Sequence, residues 1–445
     1  MAYKESVVLC HGVFDVLHIG HIKYLEAAKK HGNWLVVSIT SDKHVNKGPG
    51  RPYFNEKLRK EMLLNLKIVD HVLINDYPSA VPIINQIKPS FYIKGSDYKD
   101  LEKDVTGKIY QEIEAVESHG GQVIFLNEEM FSSSNIINTV FNQWSDTQKK
   151  VINEINGLGG LSLIKDYLKQ IEQTLKVVVV GELIWDTYRF VRPEGVSSKS
   201  PSISARYCHE ERYRGGAWAI RNHIESFCPV TLVTSKVEHE KIRYISAESG
   251  QRMFEVTNIK KEDDPLVPHP WPEHNLCIVA DFGHGLINKN NLQTDKFRAL
   301  NVQTNSSNYG FNVFPKHEEW NYLVLDQREI RLAFNDRETS AIDLGFRAHG
   351  FNSAPVGLTL GPNGSAFFHE GKCYPCPSFT DNIVDTIGAG DAYLALTSLL
   401  VRVGAPPQIT NFLGNVFAGL KTKIIGNKAS VTKISLIKAV ESILK

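Results

Sequence analysis

Short unbroken apolar runs alternate along the chain with longer stretches in which apolar residues recur every three or four positions. Val7-Val8-Leu9-Cys10 lies between polar Glu5-Ser6 and His11-Gly12, the pattern of a strand buried on both faces of a parallel sheet. A turn follows, then a helical pattern from about His21 to Lys30 and a second strand from Trp34 to Thr40, completing a β-α-β unit. Further apolar runs at His71 to Ile74, Phe91 to Lys94 and Val123 to Leu126 alternate with helical stretches, the rhythm of a doubly wound sheet. This first α/β domain is expected over residues 1–142.

Residues 143–175 read as a polar helical linker rich in Lys, Gln and Glu, interrupted at Gly157-Leu158-Gly159-Gly160, where glycine breaks or hinges a helix. A new strand, Val177 to Val180, ends in Gly181, and strands and helices alternate again to the last residue. Residues 176–445 are therefore expected to form a second, larger α/β domain. No internal repeat or low-complexity segment interrupts the pattern.

Composition agrees with two folded domains. The 445 residues carry 50 Lys+Arg against 49 Asp+Glu and are 42% hydrophobic, which excludes disordered and polyelectrolyte classes. A formal charge of +1 provides no field for holding long nucleic acids, so nucleic acid is not an expected partner. The six cysteines are scattered, mostly in apolar strings, as for reduced buried thiols. Cys373-Tyr374-Pro375-Cys376 has redox spacing but lacks a second pair for tetrahedral zinc and falls in a strand-like segment. The first apolar run is too short for a leader or a membrane span, and a cytoplasmic protein is expected.

Two constellations carry chemistry. After the first strand, Gly12-Val13-Phe14-Asp15-Val16-Leu17-His18-Ile19-Gly20-His21 sets two imidazoles on one face of a starting helix. Gly20 permits close backbone approach, and the helix start adds unpaired N–H groups and a positive dipole end suited to phosphate. Near the C-terminus, Asp385-Thr386-Ile387-Gly388-Ala389-Gly390-Asp391-Ala392 precedes an apolar helical pattern through Leu400. Small residues at that helix mouth expose backbone N–H groups to a phosphoryl group, while a carboxylate beside them can accept a proton from an attacking hydroxyl.

The first constellation resembles the signature of the cytidylyltransferase-like nucleotidyltransferases and, more closely, the nucleotidyltransferase half of the bacterial bifunctional ADP-heptose synthases. Arg51-Pro52 with Arg59, Lys94-Gly95-Ser96-Asp97-Tyr98 and Ser132-Ser133-Ser134-Asn135-Ile136-Ile137 continue the likeness over about residues 6 to 140. The resemblance implies a Rossmann-like domain in which His18, His21 and Lys94 are catalytic. It further implies nucleotide or phosphate contacts at Gly12, Phe14, Asp15, Gly20, Lys47, Arg59, Ser132, Ser133 and Ser134.

The second constellation resembles the ribokinase-like, phosphofructokinase-B type sugar kinases, and the likeness runs from about Lys176 to the end. Gly181-Glu182-Leu183-Ile184-Trp185-Asp186, Arg214-Gly215-Gly216-Ala217, Asp281-Phe282-Gly283-His284-Gly285 and Leu358-Thr359-Leu360-Gly361-Pro362-Asn363-Gly364 support it. The resemblance implies a kinase fold with a small β lid and Asp391 as general base. Gly388, Ala389 and Gly390 become the anion hole, Gly361 and Gly364 the ATP loop, and Asp186, Gly215, Gly216 and Asp281 the sugar pocket. Three positions depart from the family pattern. Ala219 replaces an Asn, Asn301-Val302-Gln303-Thr304-Asn305 stands for an Asp-Pro-Lys stretch, and Asp326-Gln327-Arg328-Glu329 for Asn-x-x-Glu. Glu329 is expected to act on Mg²⁺ through water.

Together these likenesses imply two doubly wound α/β domains and a bifunctional enzyme. One domain phosphorylates a sugar or sugar phosphate with ATP. The other transfers a nucleotidyl group, from ATP or alternatively CTP, to a sugar 1-phosphate, making a nucleotide-activated sugar of the ADP-heptose kind. The domain order is the reverse of that resemblance. Small-molecule sugar phosphates and nucleoside triphosphates are the implied partners, with no membrane and, by resemblance, a homodimer. The alternatives are a kinase for a different polyol or nucleoside, or one domain that binds sugar or nucleotide without turnover.

Overall fold

The computed structural model describes residues 6–45, 51–95, 108–126, 144–197, 199–260, 271–287, 292, 296–306, 308–380 and 383–445. They divide into two compact units, Met1–Ser145 with Ile437–Lys445, and Asp146–Leu436.

In the first unit β1 (Val7–Gly12), β2 (Trp34–Thr40), β3 (His71–Asn75), β4 (Phe91–Gly95) and β5 (Gln122–Leu126) form a parallel sheet in the order β3-β2-β1-β4-β5. The intervening helices are α1 (Ile19–Lys29), α2 (Glu56–Leu64), α3 (Val81–Ile87) and α4 (Lys108–Glu117). Residues of β1 alternate between two cores. Val8 and Cys10 pack with Leu25, Val37 and Val72, whereas Leu9 packs with Val36, Ile84 and Tyr92. Burial on both faces explains why the strand is continuously apolar. The strand order reverses between β1 and β4, the kind of switch point at which doubly wound sheets hold ligands beyond the carboxyl ends of their strands.

The second unit begins with α5 (Asp146–Gly157) and α6 (Gly160–Thr174), separated where Gly159 has φ 123°. Its main sheet comprises β6 (Val177–Gly181), β9 (Val230–Val233), β12 (Leu276–Asp281), β13 (Phe297–Val302), β14 (Tyr322–Asp326), β15 (Val356–Thr359), β16 (Ser365–His369) and β17 (Lys372–Cys376). The order is β17-β16-β15-β14-β13-β12-β6-β9, parallel except for the β15-β16-β17 edge. A second sheet, β11-β10-β7-β8, is built from β7 (Leu183–Val196), β8 (Ile203–Gly216), β10 (Glu238–Ser246) and β11 (Arg252–Asn258). It is the small β lid that the sequence implied. Further helices are α7 (Ala217–Ile224), α8 (Gln327–Phe334), α9 (Ala341–His349), α10 (Ala389–Arg402) and α11 (Pro407–Lys421), and a last helix, α12, spans Lys433–Leu444. In α10 every residue from Ala392 to Leu400 is buried, so this helix passes through the core.

Among the described residues no helix is long and apolar enough to cross a membrane. All six cysteines are free, and Cys208, on β8, is exposed rather than buried. Cys373 and Cys376 stand three residues apart on β17, so their side chains leave opposite faces of the strand.

The junction of lid and core depends on glycine. Gly216, the last residue of β8, has φ 63°, and a Cβ there would overlap the Glu182 carbonyl oxygen. That carbonyl already accepts the Ala217 N–H at 3.0 Å, so it cannot retreat without losing a bond. Gly216→Ala is expected to destabilise this unit by about 2–4 kcal/mol, from backbone strain plus displacement. Urea unfolding of the variant against the parent chain measures it.

Candidate active sites

At the switch point of the first unit, β1 ends in Gly12 and α1 begins at Ile19. His18 is its N-cap, with Nδ1 accepting the Gly20 N–H at 3.1 Å. The His21 ring stacks on His18 with centroids 3.9 Å apart, and Phe14 lies 5.4 Å from His21. Desolvation lowers the His18 pKa. The neutral ring accepts at Nδ1 and so carries its proton on Nε2, as a donor. His18, His21 and Gly20 are thus brought together at one helix mouth.

The turn between β1 and α1 is strained, because Phe14 and Val16 have φ 50° and 47°, at a cost of about 1–3 kcal/mol each. Buried polar groups hold it. The Asp15 carboxylate accepts the Tyr53 N–H at 2.8 Å and the Phe54 N–H at 3.0 Å, with Arg51 at 3.7 Å. Arg59, 0% exposed, donates to the carbonyls of Val13 (2.6 Å), Thr40 (2.8 Å) and Phe54 (2.9 Å) and to the Asp42 carboxylate (2.6 Å). One guanidinium therefore ties the β1-α1 turn, the end of β2 and the start of α2 together.

Three expectations change here. Arg59, expected as a phosphate cation, has all three nitrogens committed to this scaffold and positions the turn. Asp15, expected to contact nucleotide, anchors the 51–54 segment. Lys94, expected as a catalytic cation, is buried and paired with Glu112 at 2.7 Å, which also accepts from the Tyr92 hydroxyl at 3.0 Å. The sequence displayed the right residue types, but nothing local distinguishes a ligand-facing arginine from one spent on carbonyls. Lys47, Ser132, Ser133 and Ser134 lie outside the described residues.

In the second unit, the carboxyl ends of β13, β14 and β15 and the start of α10 enclose one cavity. Asn301, Gln303, Thr304, Asp326, Glu329, Thr359, Gly388, Gly390 and Asp391 line it. Gly388 caps α10 in the left-handed region, φ 77°, and the first helical turn leaves N–H groups without intrahelical acceptors. Asp391 stands in that turn, and its Oδ1 accepts the Gln303 amide at 2.6 Å. Burial raises the Asp391 pKa to about 6, against the lowering effects of Gln303 and Lys421. The carboxylate is therefore ionised at neutral pH and close enough in pKa to take a proton.

Asp326 and Glu329 form a capping box on α8. Asp326 Oδ1 accepts the Arg328 and Glu329 N–H groups, each at 2.7 Å, and Glu329 Oε2 accepts the Asp326 N–H at 2.8 Å. Glu329 Oε1 accepts the Thr304 N–H at 3.2 Å, and burial beside Asp326 raises its pKa well above the carboxylate range. The Asp-for-Asn departure thus preserves an N-cap, and Glu329 carries a structural duty in addition to its place in the cavity. Among the described residues no cluster of three acidic, His or Cys side chains forms a metal cage. Asp326 on the cavity wall, with Glu329 beside it, still suits Mg²⁺, which keeps waters and is held largely by substrate phosphates.

The remaining expected residues divide. Asp186 is buried, paired with Arg243, and accepts the Asn427 amide at 2.7 Å. A Cβ at Gly215 would overlap Asp186, so the glycine makes room for it. Asp281, expected in the sugar pocket, is 1% exposed and bound by Lys316 (2.6 Å), His317 (2.9 Å) and the Gly283 N–H (2.9 Å), which makes it an internal brace. Gly361 and Gly364 close their own turn, Gly364 N–H to Gly361 carbonyl at 3.0 Å; the cavity reaches Thr359 but neither glycine. Ala219 is buried in α7. Sequence reasoning missed Gln303 as the partner of Asp391, although it noted the segment as unusual, and missed Lys421 altogether, because neither belongs to a motif.

The two halves have separate family likenesses. Residues 9–139 match the cytidylyltransferase-like family and residues 299–433 the pfkB family of carbohydrate kinases, so the chain carries one domain of each kind. The bifunctional protein HldE of Methylobacillus flagellatus is 40% identical over 136 residues, covering 30% of this chain and 26% of that one. HldE of Syntrophotalea carbinolica is 34% identical over 143 residues, covering 32% and 28%. The matched segment thus spans under a third of these curated relatives. Among solved structures, ribokinase from Thermotoga maritima aligns with TM-score 0.47 at 13% identity, over 60% of this chain and 99% of that one. Phosphofructokinase-2 from Escherichia coli aligns with TM-score 0.47 at 12% identity, over 61% and 100%.

Removing the buried guanidinium tests the scaffold of the first site. Arg59→Met leaves three carbonyls and Asp42 without their partner and is expected to cost about 3–5 kcal/mol, read as a lower unfolding midpoint of the first unit.

Proposed function

We propose that the chain is a bifunctional enzyme that phosphorylates a sugar or sugar phosphate with ATP and joins a nucleotidyl group to a sugar 1-phosphate. Residues 1–142 act as the nucleotidyltransferase, 143–175 as the linker and 176–445 as the kinase. The nucleotide is ATP, with CTP the alternative, and the product is a nucleotide-activated sugar of the ADP-heptose kind. The supporting observation is the sharing of one cavity by Asp391 and the glycine-rich first turn of α10.

In the kinase, Asp391 takes the proton from a sugar hydroxyl as its oxygen attacks the γ-phosphorus, and ADP leaves. N–H groups of Gly388 and Gly390 hold the transferred group, the Ala389 N–H between them donating to the Thr386 carbonyl at 3.3 Å, and Gln303 keeps the carboxylate in position. Asp186 with Arg243 and Asn427 holds the sugar. Asp326, and Glu329 through water, would hold Mg²⁺, which neutralises phosphate charge. In the nucleotidyltransferase, the sugar 1-phosphate oxygen attacks the α-phosphorus and pyrophosphate leaves. His18 and His21 donate to the α-phosphate oxygens, and the strained turn fixes where those donors stand. The small-molecule substrates suit a cytoplasmic enzyme.

Asp391→Asn is expected to lower sugar phosphorylation by about 10³-fold or more while pyrophosphate release continues, and His18→Ala to do the converse. Coupled assays for ADP and for pyrophosphate check both; equal losses of both activities in either variant would contradict the assignment of separate sites. Because Asp391 works only when ionised, kinase kcat/KM should fall about tenfold per pH unit below about 6. A pH-rate profile with that limb absent excludes Asp391 as the base.

A further inference from the structure

One of the buried charges in the second unit is a lysine outside every motif. Lys421, the last residue of α11, is 0% exposed. Its Nζ donates to the Ile387 carbonyl at 2.9 Å and to the Gly426 carbonyl at 2.6 Å. Asp385, two residues before Ile387, accepts the Gly426 N–H at 2.8 Å and the Ile387 N–H at 3.1 Å. A Cβ placed on Gly388 would lie 3.4 Å from the ammonium nitrogen. The ammonium therefore sits directly behind the turn that opens α10.

The geometry of one peptide gives this placement a consequence. The Ile387–Gly388 bond is trans, and in a trans peptide the carbonyl of one residue and the N–H of the next point in opposite directions. With the Ile387 carbonyl drawn inward to Lys421, the Gly388 N–H faces away from it. Gly388 lines the cavity that also holds Asp391.

We propose that Lys421 is a positioning residue for phosphoryl transfer, a cation fixed within the fold that turns the Gly388 N–H toward the transferred group and adds positive charge behind it. The proposal rests on the kinase reading for its activity arm. Burial lowers the Lys421 pKa, and the carboxylates of Asp385, Asp391 and Asp186 oppose that lowering. Those three charges compensate an ammonium that would otherwise be expensive to bury. The same two carbonyls are a ligand set that a small monovalent cation can also use, since carbonyl oxygens replace the hydration shell of such ions.

The test replaces the ammonium and offers it back. Lys421→Met is expected to lower kinase kcat by about 100-fold, the scale of a lost oxyanion-type donor, with the sugar KM little changed. Ammonium or potassium should restore part of that turnover, and tetramethylammonium at equal ionic strength should not; the parent chain should respond to none of them. Thermal unfolding of the variant should show the same size selectivity, a readout that needs no catalysis. If the parent chain phosphorylates no sugar offered, the kinase reading fails while the thermal arm still decides the role of Lys421. Should Lys421→Met not fold, Lys421→Gln keeps a neutral donor and is expected to fold with reduced kcat and ordinary KM. Unchanged turnover in the folded variant, or equal responses to small and bulky cations, overturns the proposal.

Discussion

A buried charge in a protein must be paired or hydrogen-bonded, and both sites of this chain use that requirement to shape backbone. In the first unit Arg59 gathers the carbonyls of Val13, Thr40 and Phe54; in the second, Lys421 gathers those of Ile387 and Gly426. Carbonyls drawn toward an interior cation point into the fold rather than toward the strand-end crevice. The strained Phe14 and Val16 conformations persist because the Asp15 and Arg59 bonds on either side leave the turn few alternatives. Without these interior cations the crevices beyond the strand ends would still exist, but their polar lining would be less well ordered.

The parallel sheets place those turns. In the first unit, strand order reverses between β1 and β4, and the histidine turn follows β1. In the second, β13, β14 and β15 end around the cavity that α10 enters. The geometry of both candidate sites is thus set by rigid elements, while the carboxylates and imidazoles occupy the first residues of helices. Glu329 illustrates the economy of the arrangement, since a single side chain caps α8, fixes Thr304 and lines the cavity.

Much of this was legible in the sequence. The run Val7 to Cys10, the strand Trp34 to Thr40 and the apolar helix after Asp391 follow from hydrophobic patterning, because strands buried on both faces and a core helix leave few polar positions to blur the signal. The helix break at Gly159 was legible for the same local reason. The long β7-β8 arms were not, because Arg189-Glu210 and Arg206-Glu194 pairs place charge where strand patterning would show apolar residues. His18, His21 and Asp391, which the motifs single out, stand at helix mouths. The internal partners of the cations were not legible. Arg59, Lys94 and Lys421 differ in what surrounds them in space, and their sequence neighbours carry no trace of it.

Transfer at phosphorus in two separate pockets leaves two distinct sets of products. Phosphorus NMR of the intact chain incubated with ATP, Mg²⁺ and a panel of sugars, sugar phosphates and sugar 1-phosphates tests it most directly. The account requires a sugar-dependent appearance of ADP with a new sugar phosphate signal, and a sugar 1-phosphate-dependent appearance of pyrophosphate with a new diphosphate ester. An unchanged ATP spectrum across the panel, or signals of only one reaction with both ATP and CTP, would contradict it.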